Sequence, residues 1–318
     1  MSTAIRIHAT GAPSVLRTES VEVGRPGPGQ VRLRQQAVGV NYVDTMVRDG
    51  RYPLPLPAIP GFEAAGTVEE TGPGVTGLAA GRRVAYFFAA GAYASERLVD
   101  ARALVPLPDD IDAERAAAFL AKGLTAWMGM HALYRLRAGE TILVQGASGN
   151  VGAILSRWAR ARGATVIGVA GSAARLDKVA RGAHHALAAD DAGFAGKLRA
   201  LAPHGVDAVY DFVGAAVAQS TLDALRDGGT VVAIGAASGA PRFDPALLAR
   251  RRIAVRAGGT PQYVNADNVL EAAEDLFGAL RAGLFDDLEI VRHPLARAAQ
   301  VHEDIAARRL AGLAVLVP

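Results

Sequence analysis

Apolar positions recur with two different rhythms along the chain, and the change falls near residue 112. Before it the apolar runs are short and partly alternating, as in Ile5-Arg-Ile7, Gln30-Val-Arg-Leu-Arg34 and Arg83-Val-Ala-Tyr-Phe-Phe88. Glycine and proline punctuate them at Gly11-Ala-Pro13, Gly27-Pro-Gly29, Gly72-Pro-Gly74 and Gly81. Short strands broken by such turns predict a barrel-like β unit over residues 1 to about 120. Within it, Arg51-Tyr-Pro-Leu-Pro-Leu-Pro-Ala-Ile-Pro60 is too rich in proline for a helix or a central strand. It predicts a stiff extended loop, and loops on rigid scaffolds often carry sites.

At Asp112-Ala-Glu-Arg-Ala-Ala-Ala-Phe119 the pattern turns helical, with Asp112 as N-cap. From there to about 260, apolar strands are predicted at 142–144, 165–169, 208–210, 231–234 and 253–255. Helical runs at 150–161, 173–181, 193–201, 215–226 and 245–251 separate most of them. This alternation predicts an α/β fold with a doubly wound parallel sheet and a ligand at the C-terminal strand ends. A helix over 264–282, a strand over 287–294, a helix over 295–309 and a strand over 313–317 complete the chain. This tail is too short to fold alone. The expected domains are therefore 1–120 with 265–318, and 121–264.

Composition narrows the class. At 318 residues there is material for two cores, and 51% hydrophobic with 20% charged residues describes a compact globular protein. The net charge is only +3, and Arg250-Arg-Arg252 is the sole basic triplet, so a nucleic acid interface is not expected. The absence of cysteine excludes disulfides, thiolate-ligated zinc and a cysteine nucleophile. It suits a reducing compartment, and a cytoplasmic location is expected. Met1–His8 has no long apolar core and no 18-residue apolar run occurs, so neither a signal peptide nor a membrane span is predicted.

The most informative stretch is Thr141-Ile-Leu-Val-Gln-Gly-Ala-Ser-Gly-Asn-Val-Gly152. A strand meets a tight turn, Ala147-x-Gly149-x-x-Gly152, and a helix follows. This is a dinucleotide fingerprint with its first glycine replaced by alanine, so Gly149, Asn150, Val151 and Gly152 are candidates to seat a pyrophosphate. The next strand ends in Gly171-Ser172, without the Asp or Glu that binds a ribose 2′-hydroxyl in NAD-binding folds. Arg175, Lys178 and Arg181 follow. Small residues plus arginine suit a 2′-phosphate, so the expected cofactor is NADPH, with Gly171, Ser172 and Arg175 as contacts. The bland alternative is that Arg175 and Lys178 are a solvated helix face. Val213 and Gly235, at the ends of later strands, are further cofactor candidates. Asp211 is either a ligand contact or an N-cap.

Gly39-Val-Asn-Tyr-Val-Asp-Thr45, Pro60-Gly-Phe-Glu-Ala-Ala-Gly-Thr-Val68, Gly81-Arg-Arg-Val84, Lys122-Gly-Leu-Thr125 and the glycine turn occur in that order. Together they resemble the medium-chain dehydrogenase/reductase superfamily, most closely its zinc-free quinone oxidoreductase branch, the ζ-crystallin type. The likeness runs from about residue 5 to the C-terminal end. It implies a GroES-like β-barrel domain beside a Rossmann domain. Where the zinc alcohol dehydrogenases carry cysteine, histidine and cysteine ligands, this chain has Asn41, Phe62 and Lys122-Gly123. His184-His185, the one histidine cluster, is read as surface loop. The resemblance therefore implies direct hydride transfer from NADPH to a quinone, with no metal. Asn41, Asp44 and Tyr52 match polar positions at the substrate end of the family's cleft. Asn41 would hydrogen bond the acceptor or cofactor, Asp44 would orient Asn41 or a water, and Tyr52 would bond or stack on the acceptor. Otherwise Asn41 caps a turn and Tyr52 packs the proline loop. Met46 replaces a tyrosine of some relatives and makes the pocket more apolar. Thr125 matches a position near the nicotinamide, and Arg308 matches a C-terminal-helix arginine at the 2′-phosphate end. Ala189 stands near a tyrosine of the relatives, so one phosphate contact is missing. Alternatives are a zinc-free enone or enoyl (2-alkenal) reductase of the same fold and, from another class, a dinucleotide-binding structural or RNA-binding protein with weak catalysis. A homodimer joined through an edge strand near 253–257 is expected from the family.

Overall fold

The computed structural model describes residues 1–318. They form two compact units: Met1–Ala121 with Ala266–Ala273 and Leu288–Pro318, and Lys122–Asn265 with Glu274–Asp287.

The first unit begins with strands β1 (Ser2–Arg6) and β2 (Arg17–Val21), an antiparallel pair. The long strand β3 (Gln30–Gly39) is its organising element. Val31, Leu33, Gln35 and Ala37 are buried, while Arg32 is half-buried and Arg34 and Gln36 are exposed, the period-two pattern of a half-buried strand. Helix α1 (Tyr42–Asp49) follows, ended by Gly50 in the left-handed region. Strands β4 (Glu63–Thr71), β5 (Arg83–Phe87), β6 (Glu96–Asp100) and β7 (Leu104–Pro106) continue the unit. One edge of β3 pairs with β4; the other pairs with β6 over Gln30–Arg34. The core holds Val31, Leu33, Val38, Ala64, Val84 and Tyr86.

In the second unit, helix α2 (Ala113–Met128, which starts in the first unit) leads into β8 (Thr141–Gln145), α3 (Asn150–Ala161) and β9 (Thr165–Ala170). Next come α4 (Leu176–Ala180), β10 (His185–Ala188), α5 (Phe194–Leu201) and β11 (Val206–Asp211). The unit continues with α6 (Ala218–Ala224), β12 (Leu225–Ala233), α7 (Pro245–Arg251) and β13 (Ala254–Ala257). The six strands are parallel in the order β10-β9-β8-β11-β12-β13. Ile142, Leu143 and Val144 are fully buried, as expected of a strand covered on both faces. Strand order reverses between β8 and β11, which is where such sheets bind ligands. This is the α/β, Rossmann-type doubly wound sheet expected from the alternation.

Two expectations are corrected here. His185 opens β10 and pairs with Ile167, so it is not in a loop, although it remains exposed. The helix expected over 264–282 starts later, as α9 (Val269–Arg281), and a separate short helix, α8 (Thr260–Tyr263), precedes it, with Asn265, Asp267 and Asn268 in the stretch between. The tail then returns to the first unit as β14 (Ile290–Pro294), α10 (Ala298–Ala306) and β15 (Leu313–Val317). β15 pairs with the end of β3 at Val38 and Gly39.

Candidate functional site

The glycine turn leaves β8 through Gly146, at φ +76°, and enters α3 through Gly149. No side chain caps α3, so its first N–H groups are open to an anion at the positive end of the helix dipole. A Cβ on Gly152 would stand 2.4 Å from the Gly146 carbonyl oxygen and 2.9 Å from Ala147 Cα. Glycine there lets the helix close onto the turn. Asn150 and Val151 form the first turn of α3 and are half-buried. At the end of β9, a Cβ on Gly171 would meet nothing within 4 Å, so there is room beside this strand end. Ser172 and Arg175 follow, both half-buried, with the Arg175 N–H on the Ser172 carbonyl at 3.1 Å. The apparent lack of an acid here is a property of the sequence order only. Asp190, from the loop after β10, accepts the Ala173 N–H at 3.2 Å and brings a carboxylate to this turn.

At the ends of β11 and β12, Asp211 is completely buried. Its Oδ1 accepts the Val213 and Gly214 N–H groups at 2.8 and 2.9 Å. Burial raises its pKa, and those two N–H groups pull against the rise. Asp211 thus holds a turn rather than capping a helix. The turn sets Val213 against Gly146, where an added Cβ would be 3.2 Å from Val213 Cγ2. Gly235 donates to the Asp211 carbonyl at 2.9 Å, and a Cβ there would strike the Phe212 carbonyl oxygen at 2.2 Å. The structure therefore brings Gly146–Gly152, Val213 and Gly235 to one end of adjacent strands. Thr125, on α2, bonds the Thr260 hydroxyl at 2.9 Å. Arg308 is not on a helix: α10 stops at Ala306 and Arg308 lies beyond it at φ +57°.

In the first unit the polar candidates surround Gly61-Phe62-Glu63. Asn41 ends the approach to α1, and Asp44 accepts its backbone N–H at 2.8 Å. The Asn41 side chain turns elsewhere, donating from Nδ2 to Glu63 Oε2 at 2.9 Å. Glu63 is fully buried and also takes the Ala121 N–H at 2.6 Å. It fits because residue 39 is glycine, where a Cβ would come within 2.3 Å of Glu63 Oε2. Asp44 therefore fixes the helix start, while Glu63 fixes the Asn41 amide. Tyr52 meets Phe62 edge-on at 5.6 Å, and Phe62 stacks on Phe88 at 5.0 Å. Behind them runs a buried polar chain. The Tyr93 hydroxyl donates to Asp44 Oδ2 at 3.1 Å and lies 2.9 Å from His302 Nε2. Its one proton goes to Asp44, so His302 Nε2 carries a proton and donates to the Tyr93 oxygen. Burial, and then nearby Arg48, drive the His302 pKa down to about 3, so the ring is neutral. Glu63, Tyr93 and His302 were missed in the sequence. A glutamate inside the apolar run Phe62–Val68 was the one available signal.

The arrangement offers an anion seat at α3 and, in the first unit, an Asn41 amide fixed by Glu63 and a Tyr52 ring packed edge-on to Phe62 and Phe88. The phosphates of NADPH suit the first: the uncapped helix and the Gly152 turn offer backbone N–H groups, and there is room at Gly171. No three His, Asp or Glu side chains converge to hold a metal ion, and Phe62 presents a ring where the zinc enzymes present an imidazole.

Two family models match: the alcohol dehydrogenase GroES-like domain over residues 27–109 and zinc-binding dehydrogenase over 150–275. A quinone oxidoreductase of Pseudomonas aeruginosa is 37% identical, with 100% of each chain covered. This chain belongs to the zinc-free quinone oxidoreductase branch of the medium-chain dehydrogenase/reductase superfamily. Another relative is a 2-haloacrylate reductase of Burkholderia, 37% identical over 98% of both chains. Among solved structures, Escherichia coli quinone oxidoreductase complexed with NADPH superposes with a TM-score of 0.94 at 32% identity, covering 99% of this chain and 100% of that one. The zinc in the second model's description has no thiolate to meet it in this member of the branch, which lacks cysteine. No helix is long and apolar enough to cross a membrane.

Proposed function

We propose that this protein is an NADPH-dependent reductase that delivers hydride to a quinone without a metal. The observation that carries this reading is the setting of Phe62, a buried ring packed against both Tyr52 and Phe88 at the position where metal-dependent relatives polarise their substrate. A substrate that is not polarised by a metal must accept hydride readily, as quinones do.

Bound NADPH supplies a hydride from its nicotinamide ring. The chain's residues bind, orient and stabilise. Gly149, Asn150, Val151 and Gly152 seat the pyrophosphate through backbone N–H groups. Gly171, Ser172 and Arg175 take the 2′-phosphate end, with Arg308 as a further cation, while Thr125, Val213 and Gly235 contact the nicotinamide half. Asn41 keeps one amide N–H on Glu63 and offers the other to the acceptor oxygen. The Tyr52 hydroxyl donates to that oxygen as negative charge develops, the kind of preorganised donor that stabilises a transition state. Asp44 holds α1 in register. The quinone carbon framework takes up the hydride, its oxygen anion takes one proton from solvent, and the product leaves as the hydroquinone while the cofactor leaves as NADP⁺. The assembly we propose is a cytoplasmic homodimer joined along β13, an edge strand whose residues 255–257 are exposed.

The 2-haloacrylate reductase relative favours a second reading, reduction of an activated alkene by the same machinery. An acceptor panel assayed with NADPH and NADH side by side separates the two. Turnover of enones with no quinone consumed would overturn the first reading, and faster turnover with NADH would overturn the cofactor assignment.

A further inference from the structure

Three non-glycine residues adopt left-handed backbone: Phe88, Arg252 and Arg308. Arg252 caps the end of α7 and Arg308 follows α10, places where this conformation is common. Phe88 has no helix end to explain it. It follows strand β5 at φ +69°, a region that bulky side chains avoid. Such strain persists only where the surroundings hold it, and it concentrates where ligands bind. Here the Phe88 N–H donates to the Phe62 carbonyl at 2.7 Å, and the two rings stack with planes 20° apart. Tyr52 approaches Phe88 edge-on at 6.5 Å, with planes 84° apart.

The left-handed turn therefore lays the Phe88 ring over Phe62, with Tyr52 edge-on to both. Phe62 is only 3% exposed, whereas Phe88 is half-buried. An aromatic ring backed by a second ring and still partly open is a platform for a flat π-system. We propose that Phe88 is a specificity residue that stacks on the ring system of the acceptor and selects extended planar quinones over small acyclic acceptors. This deepens the quinone reductase reading and rests on it.

The test compares wild type with Phe88→Leu, which keeps apolar bulk without a ring, and with Phe88→Tyr, which keeps the ring. The measured quantity is kcat/KM for 1,4-naphthoquinone divided by kcat/KM for methyl vinyl ketone, at saturating NADPH. Loss of one stacking contact lowers this ratio about fivefold to tenfold in Phe88→Leu, through the quinone's KM, while Phe88→Tyr stays near wild type. An unchanged ratio in Phe88→Leu, whether both activities hold or fall together, overturns the proposal. Calorimetric Kd values for 1,4-naphthoquinone on the same proteins separate the two ideas. If wild type turns over no quinone, the reductase reading fails, yet a weaker naphthoquinone Kd in Phe88→Leu alone still supports the stacking role, and an unchanged Kd ends it.

Discussion

His302 is a built-in load on acid stability. It is completely buried, its Nε2 meets the Tyr93 hydroxyl at 2.9 Å, and its pKa falls from 6.5 to about 3. Above pH 6.5 the folded and unfolded chains both carry a neutral imidazole and nothing is lost. As the pH falls through 6.5, the unfolded chain takes up a proton that the folded chain refuses until about pH 3, so stability declines across that window. At about pH 5 the imbalance is roughly one and a half pKa units, or about 2 kcal/mol. The perturbation is His302→Gln, which can still bond Tyr93 but does not titrate. Urea unfolding by circular dichroism is measured at pH 7.5 and pH 5.0 for both proteins. Wild type should lose about 2 kcal/mol more than the variant between the two pH values. Parallel losses would show that His302 is not held neutral in the folded protein.

Three further outcomes are expected. Gly152→Ala pushes a methyl into the Gly146 carbonyl and should weaken NADPH binding about tenfold by fluorescence titration; an unchanged Kd would remove the pyrophosphate seat. Arg175→Ala should weaken NADPH about tenfold and spare NADH, whereas Asp190→Asn, which removes a nearby carboxylate, should tighten NADPH about threefold; equal effects on both cofactors would dismiss a 2′-phosphate role. Glu63→Gln leaves one acceptor oxygen for two buried donors, Asn41 Nδ2 and the Ala121 N–H, and should lower stability by about 1–3 kcal/mol in urea; a loss within error would mean that these two hydrogen bonds do not hold the site together.

The parallel sheet was legible because β8, β9 and β11 carry short apolar runs, Ile142–Val144, Val166–Ala170 and Ala208–Tyr210, set apart by helical ones. β10 was not, since His185-Ala-Leu-Ala188 is short and begins with an exposed histidine. Helix α1 was hidden too: its Tyr42–Asp49 run mixes apolar, acidic and basic residues and reads as motif rather than period. The glycine turn could be read locally because strand, turn and helix are consecutive. The surroundings of Asn41 could not. Glu63 is 22 positions away, and the Tyr93–His302 contact spans 209. Partners at such separations are set by topology. The same holds for Asp190, which reaches the Ala173 turn from a loop 17 residues later.

The pairing of β15 with β3 has a consequence for how the molecule is made. Gly39 aligns with Val315, and the Val40 N–H donates to the Ala314 carbonyl, immediately before Asn41. During synthesis that edge of β3 emerges early and waits until the whole nucleotide-binding unit has been translated. The second unit is nearly continuous in sequence, whereas the first keeps the Val38–Gly39 end of β3 without its β15 partner until the last residues are made, although β6 already covers that edge over Gln30–Arg34. The backbone just before Asn41 thus takes its final pairing only when the C-terminal strand arrives.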